Sequence, residues 1–490
     1  MLTMLTLTLS LVVPAPATPA EDPPNIILIL ADDLGWTDVS GGRMNLGHGS
    51  DFYETPHLDR LAAEGMAFPH AYAAGANCSP TRAALMSGQY APRTGVYTVG
   101  SLDRTGRGPE PPLRGIATRP DLSAETVTMA ERLQGRGYAT CHIGKYHVGG
   151  QKGTRGTTPS EQGFDENFGG GPAGHAGRSF ADASGRFGPR VGPELDAFAR
   201  PGTHLTDAVT DAAIDFMGRH ADRPFFVQLA HYAVHTPIRG QGRPDLVARF
   251  RSRGAPASEH RDADYAALVA GIDESLGRVR RFLSETRDGR GRRLSARTLI
   301  IVTSDNGGLT GPAGVTANTP LKGQKGEYHE GGIRVPLVFW YPARIPAGGI
   351  CHEPVTTVDL LPTVLGVAGI AAATDEVIDG SDLAPLLRDP TATLGRDGIF
   401  WHFPGYLRQS GRDARPVSII RRGRWKLVYR YEETRCALFD LRADPGEATD
   451  RADDEPAVTT SLRTRLAAWL DDVGGLPPVH RDSGRPAAGP

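Results

Sequence analysis

Three short stretches of this chain are apolar without alternation: Asn25-Ile-Ile-Leu-Ile-Leu30, Pro224-Phe-Phe-Val-Gln-Leu-Ala230 and Thr298-Leu-Ile-Ile-Val-Thr303. A strand with one wet face alternates apolar and polar residues, whereas a strand covered on both faces reads as a continuous run. These runs therefore predict strands of a mainly parallel sheet. Helical periodicity separates them, over Thr55–Glu64, Pro80–Ser87, Thr126–Gly135, Asp207–Gly218 and Asp262–Ser284. Strands alternating with helices predict an α/β fold, a large mainly parallel sheet flanked by helices.

Two stretches break this rhythm. Residues 98–121 and 149–202 are rich in Gly, Pro and Arg and lack periodicity; loops this long line functional sites or are surface insertions. Beyond residue 390 the texture changes. Val417–Arg422, Trp425–Tyr431 and Ala437–Leu441 read as short antiparallel strands, and Thr459–Val473 as an amphipathic helix. The expected division is a main domain over 22–390, a small α+β subdomain with an antiparallel sheet over 391–475, and a flexible tail over 476–490.

Composition narrows the function. The chain has 490 residues, 39% of them hydrophobic, and its 54 Lys and Arg face 56 Asp and Glu. That balance gives no basic excess for nucleic acid. No apolar run after residue 20 is long enough to span a bilayer, so the chain is not expected to be an integral membrane protein. Met1–Val13 is Leu-rich and uncharged, and small residues and prolines follow before Glu21. This matches a signal peptide over 1–20, without a basic n-region, and predicts export to a periplasmic or extracellular location. Four cysteines, Cys78, Cys141, Cys351 and Cys436, are too few for a disulfide scaffold, and their spacing matches no zinc motif.

Ligands of open α/β sheets bind beyond the carboxyl ends of the strands. There the first run continues into Ala31-Asp-Asp-Leu-Gly35 and the last into Ser304-Asp-Asn-Gly-Gly308. Asp32, Asp33, Asp305 and Asn306 are hard oxygen donors, suited to Ca²⁺ or Mg²⁺ rather than Zn²⁺; taken singly, they also read as a helix cap and a turn. In Asn77-Cys-Ser-Pro-Thr-Arg82, Pro80 suits a first helical turn and Ser79 a cap. Cys78 then lies beside free N–H groups, and Arg82 reaches the same anion.

Cys78-Ser-Pro-Thr-Arg82, followed by Ala-Ala-Leu-Met-Ser-Gly88, resembles the maturation signature of the formylglycine-dependent sulfatases, members of the alkaline phosphatase-like superfamily. Pro24–Trp36, Gly144-Lys-Tyr-His-Val-Gly149, His235-Thr-Pro237, Ser304–Gly308, Lys322–Pro336 and Leu438–Glu447 resemble further elements of that family in order; Tyr146 and Val148 are mild departures. Only five of the 54 basic residues are Lys (Lys145, Lys152, Lys322, Lys325 and Lys426), and three lie in these motifs.

The resemblance implies a sulfatase domain over 22–390 with an alkaline phosphatase-like sandwich fold, and formylglycine made from Cys78 by a formylglycine-generating enzyme. It also implies one divalent ion, Ca²⁺ with Mg²⁺ as the alternative, on Asp32, Asp33, Asp305, Asn306 and an oxygen of modified Cys78. Arg82, Lys145 and Lys325 would bind sulfate, His235 or Lys325 would protonate the leaving oxygen, and His147 would serve as the base. His231 reads as structural, Lys322 as secondary to Lys325, and His329 and Glu330 as supporting groups. His175, Trp401 and His402 are candidates for the pocket mouth. A sulfated small molecule or glycan is the expected substrate, with a lean towards carbohydrate. The alternatives are a phosphodiesterase or phosphonate monoester hydrolase of the same superfamily, and a catalytically silent carbohydrate-binding relative.

Overall fold

The structure is a computed structural model that describes residues 22–106, 109–254, 259–310, 315–371, 376–409 and 412–490. The signal peptide expected over 1–20 lies outside the described residues.

All three continuous apolar runs are strands: β1 (Asn25–Ala31), β5 (Phe225–Ala230) and β6 (Thr298–Ser304), each buried along its whole length. With β2 (Met66–Ala67), β3 (Ala139–Gly144), β4 (Glu166–Phe168), β7 (Leu337–Trp340) and β8 (Gly349–Ile350) they form an eight-stranded sheet in the order β8-β2-β7-β6-β1-β5-β3-β4. β1 lies between β5 and β6, parallel to both, with Leu30 opposite Ala230 and Thr303. β3 and β4 continue the parallel set. β7 runs antiparallel to β6 and to β2, so the sheet is mixed but mainly parallel, as expected.

Side-chain alternation along β1 divides the interior in two. Ile27 and Ile29 join a cluster with Leu58 and Leu61 of α1 (Pro56–Glu64), Phe216 of α4 (Leu205–Arg219), and Leu268 and Leu276 of α5 (Ala263–Glu285). Ile26, Leu28 and Leu30 join a second cluster with Leu85 of α2 (Cys78–Ser87) and Leu133 of α3 (Met129–Gln134). Helices thus cover both faces. Local capping sets two of their starts: Thr128 and Glu131 form a reciprocal capping box, and Asp262 accepts from the Tyr265 N–H.

The C-terminal subdomain is an antiparallel sheet of β9 (Ile399–Phe403), β10 (Val417–Arg422), β11 (Trp425–Arg430) and β12 (Arg435–Asp440). One face packs on α6 (Pro456–Val473) through Ile420, Leu427, Leu438, Leu462 and Leu466. The other packs on the main domain through Trp401, Ile419, Val428, Tyr72 and Tyr328.

Three expectations need correction. The stretch 98–121 does not stand free as a loop: Asp103 pairs with Tyr406, and Arg114 with Val479. Residues 476–490 are tied to the body, with Ala487 buried and the Tyr429 hydroxyl donating to the Ala488 carbonyl at 2.9 Å. Ser79 does not cap α2; the helix starts at Cys78 after extended Asn77, and the Ser79 hydroxyl donates to the His147 carbonyl at 2.9 Å.

Leu466 is fully buried where α6 meets the subdomain sheet. Leu466→Ala is expected to cost about 2–5 kcal/mol of unfolding free energy by urea titration, through lost transfer energy and a cavity. A loss below about 0.5 kcal/mol would show that α6 does not hold the subdomain together.

Candidate active site

The site lies where β1, β3 and β6 end. Asp32 and Asp33 follow β1 directly, and the chain reverses there because Asp33 adopts φ +65°, in the left-handed region. The turn is anchored on both sides. The Asp32 N–H donates to Ala233 O at 2.9 Å, the Asp33 N–H to Asp305 Oδ1 at 3.2 Å, and the Leu34 N–H to Ser304 Oγ at 3.0 Å. The neighbouring strand β6 thus fixes the first acidic pair through the residues that carry the second.

Every carboxylate in this group meets a cation. Lys145 Nζ donates to Asp32 Oδ1 and Oδ2 at 2.8 and 2.7 Å. Lys325 Nζ lies 2.8 Å from Asp33 Oδ2 and 2.7 Å from Oδ1. Arg82 Nε donates to Asp305 Oδ2 at 2.8 Å, and its Nη1 to the Lys145 carbonyl at 2.5 Å. All six side chains are buried. Burial raises the Asp33 carboxyl, but Lys325 and His235 outweigh it and hold that group below the usual carboxylate range. Asp32 goes the other way: burial, with Asp305 and Asp33 nearby, pushes it up against the pull of Lys145.

Cys78 opens α2 with its Sγ 3.6 Å from Asp32 Oδ1. Burial first, then Asp305, pushes its thiol up to about 12. At neutral pH the thiol stays protonated, so the unmodified side chain is a poor nucleophile.

β3 delivers Lys145 and His147, and the strand stops at a glycine for a steric reason. Gly144 has φ +92°, and a Cβ there would lie 2.0 Å from the Ala230 carbonyl oxygen. His147, at φ +62°, donates its N–H to the Gly171 carbonyl at 3.0 Å. Gly174 lies against the ring, where a Cβ would come within 2.6 Å of Cε1. Burial, then Lys145 and Arg82, holds His147 well below the ordinary histidine range, so its ring is neutral. His235 Nε2 is 3.7 Å from Asp33 Oδ2, and burial followed by Lys325 pushes its pKa down to about 3.

The structure thus brings together Asp32, Asp33, Cys78, Arg82, Lys145, His147, His235, Asp305, Asn306 and Lys325. One ligand atom from each of Asp32, Asp33, Cys78 and His235 lies within 4.8 Å of the others. Asn306 adjoins this group, with Nδ2 donating to Asp33 Oδ1 at 2.8 Å, while its buried Oδ1 has no partner. An unpartnered amide oxygen beside three buried carboxylates fits a hard divalent cation.

Other candidates lie elsewhere. His231 is buried with Nε2 3.3 Å from Ser275 Oγ. Lys322 donates to the Glu447 carbonyl at 3.4 Å. Glu330 pairs with Arg334 at 2.6 Å, and His329 lies 3.4 Å from Glu447. Trp401 and His402 are not at the pocket mouth but inside the subdomain, bonded to Ala73 O and to Ser418 Oγ. His175 does reach the site: its ring stacks on His235 at 5.9 Å, and Arg190 contacts it from the same long loop. Gly171 and Gly174 form a wall of the site from within the Gly-rich stretch 149–202, one of the two stretches the sequence offers as a site wall; which of its glycines touch His147 needed the structure.

The fold and the placement of these residues define a member of the alkaline phosphatase-like superfamily. The sulfatase family model matches residues 24–370, and the model "N-sulphoglucosamine sulphohydrolase, C-terminal" matches 324–472. The chain is 36% identical to a sulfatase of Formosa agariphila, over 92% of this chain and 89% of that one. It is also 36% identical to the N-acetylgalactosamine-6-sulfatase of Canis lupus familiaris, over 76% of this chain and 67% of that one. The solved structure of Ps i-CgsB in complex with k-i-k-neocarrahexaose superposes with a TM-score of 0.71 at 27% identity, covering 91% of this chain and 93% of that one. This chain belongs to the sulfatase family, and it is a sulfuric ester hydrolase.

In folded protein whose Cys78 is unmodified, the thiol is expected to resist iodoacetamide at pH 8, with peptide mass spectrometry as the readout. Cys78 labelling faster than the half-buried Cys436 would contradict both the burial and the raised pKa.

Proposed function

We propose that this sulfatase removes sulfate esters from sulfated carbohydrates, using formylglycine made from Cys78 and one bound divalent cation, Ca²⁺ in the first instance. The observation that carries this reading is the closed set of Cys78, three carboxylates and three cations at adjoining strand ends. The carbohydrate assignment draws on the two relatives: one is an N-acetylgalactosamine-6-sulfatase and the other was solved with a neocarrahexaose. Maturation would require a formylglycine-generating enzyme, and the leader at 1–20 would export the protein. No helix among the described residues is long and apolar enough to cross a membrane.

Asp32, Asp33, Asp305 and Asn306 would hold the ion, which supplies positive charge to a sulfate oxygen and to position 78 when bound. Formylglycine at position 78, hydrated, would supply a pair of hydroxyls on one carbon, the nucleophilic chemistry that the buried thiol lacks. The remaining work falls to the side chains. Arg82, clamped between Asp305 and the Lys145 carbonyl, keeps α2 and β3 in register around the nucleophile. Lys145 and Lys325 present ammonium groups to the sulfate oxygens, where charge builds in the transition state. Lys325 Nζ and His235 Nε2 both face Asp33. Lys325 is the protonated member and can hand a proton to the departing oxygen, whereas the His235 ring, pushed down to about 3, is neutral and can only hydrogen-bond there. His147 is neutral, and its buried Nδ1 has no partner. A neutral ring in that position can accept a proton from residue 78.

Protein co-expressed with a formylglycine-generating enzyme is expected to release sulfate from 4-nitrophenyl sulfate, to lose that activity in Cys78→Ala, and to lose it reversibly on chelation. Lys325→Ala is expected to lower kcat by roughly 10²–10³-fold, the usual cost of one charge-stabilising donor. Faster release from 4-nitrophenyl phosphate than from the sulfate would favour the phosphoester or phosphonate reading. Activity unchanged in Cys78→Ala would overturn the mechanism.

A further inference from the structure

Lys426 and Arg421 face each other across β10 and β11. Both are buried, and both approach the group formed by Glu330, Glu447, Arg334 and Tyr72. Lys426 is fully paired, at 3.1 Å from Glu330 and 2.9 Å from Glu447. Arg334 is paired with Glu330 at 2.6 Å. Arg421 differs. Its guanidinium stacks on the Tyr72 ring at 4.8 Å, it is 4% exposed, and its Nε and Nη1 have no hydrogen-bond partner. Two buried carboxylates face three buried cations, and the charge left over falls on Arg421; Glu353, only half-buried, acts on it from the cavity wall but forms no ion pair with it among the described residues. Leaving such a charge without a counter-ion is expensive.

Arg421 lines a cavity of about 660 Å³ between the subdomain and the main domain. Arg334, Arg424, Arg442 and His70 line it too, and Glu353 is its one acidic lining residue. Arg424 is matched by Asp440 at 2.7 Å, whereas no carboxylate pairs with the Arg442 side chain among the described residues. The local potential is positive enough that burial, then Arg334 and Arg421, pushes His70 down to about 3. The cavity opens to solvent past exposed Arg424 and Arg442.

We propose that this cavity is a second anion site, separate from the catalytic centre, in which Arg421 and Arg442 bind a sulfate-type oxyanion. The ligand is either free inorganic sulfate or a sulfate group on a glycan. Guanidinium forks match such oxyanions with paired N–H donors, and the ligand would supply the counter-charge that Arg421 lacks. The site stands on this charge count and holds whether or not the carbohydrate reading of the catalytic centre is right.

Sulfate binding to Cys78→Ala protein, measured by titration calorimetry at constant ionic strength, tests this. Two sulfate ions per chain are expected, one in each site. Arg421→Gln in that background should weaken one of them by roughly tenfold or more, the scale of a lost charged hydrogen bond, and leave the other unchanged. In otherwise native protein, Arg421→Gln should leave 4-nitrophenyl sulfate turnover intact. If Arg421→Gln does not fold, Arg442→Ala at the exposed rim should weaken the same event severalfold. A repeat with a sulfated carrageenan hexasaccharide separates the two sources: an Arg421-dependent gain in affinity over inorganic sulfate assigns the site to glycan, and its absence assigns it to the free ion. A single sulfate per chain that Arg421→Gln leaves unchanged overturns the proposal, as does a second event indifferent to the variant tested.

Discussion

Three buried carboxylates, Asp32, Asp33 and Asp305, are matched by three buried cations, Lys145, Lys325 and Arg82, and the rest of the site depends on that match. Like charges packed this closely repel and favour proton uptake, as at Asp32, which burial, Asp305 and Asp33 push up. Here each carboxylate has its own cation at 2.7–2.8 Å, brought from a different part of the chain. Breaking one pair would leave an uncompensated buried charge, at a cost of about 3–5 kcal/mol. The same groups are the ones a sulfate ester and a divalent ion would engage.

The C-terminal subdomain bears on this match from outside. Lys325 lies on the segment 320–334, between the Asn318–Leu321 turn and the buried Glu330–Arg334 pair. Lys426 of β11 holds that segment twice, through the Tyr328 carbonyl at 2.9 Å and the Glu330 carboxylate at 3.1 Å. The Glu447 carboxylate accepts the Glu330 N–H at 2.7 Å. An antiparallel sheet far along the chain thereby holds the segment that carries Lys325, the partner of Asp33, which gives the subdomain a positioning role as well as a share of the core.

Sequence made some of this legible and not the rest, and the division follows from range. β1, β5 and β6 were readable because a strand buried on both faces needs no partner to be recognised. The acidic residues at their ends followed from the topology of parallel sheets. β3 escaped notice because Ala139-Thr-Cys-His-Ile-Gly144 mixes polar and apolar residues. Its Thr140 hydroxyl donates to Gly163 O and its His142 Nε2 bonds Gly144 O, which sequence does not reveal. Ser79 was misread as a cap because its actual acceptor, the His147 carbonyl, is 68 residues away. The terminal stretch looked frayed for the same reason: its anchors at Arg114 and Tyr429 are distant in sequence. Cys78, Arg82, Lys145 and Lys325 could be picked out by family resemblance, but their pairing with particular carboxylates needed coordinates.

The central claim is that the acidic cluster of β1 and β6 is a divalent-cation site. Its most direct test is the calcium content of purified protein after dialysis against trace calcium, by elemental analysis, with an Asp305→Asn, Asn306→Leu double variant beside it. The account predicts one calcium per chain in the wild type and none in a double variant that remains folded by circular dichroism. Wild-type protein that binds no divalent ion yet hydrolyses sulfate esters at full rate would contradict it.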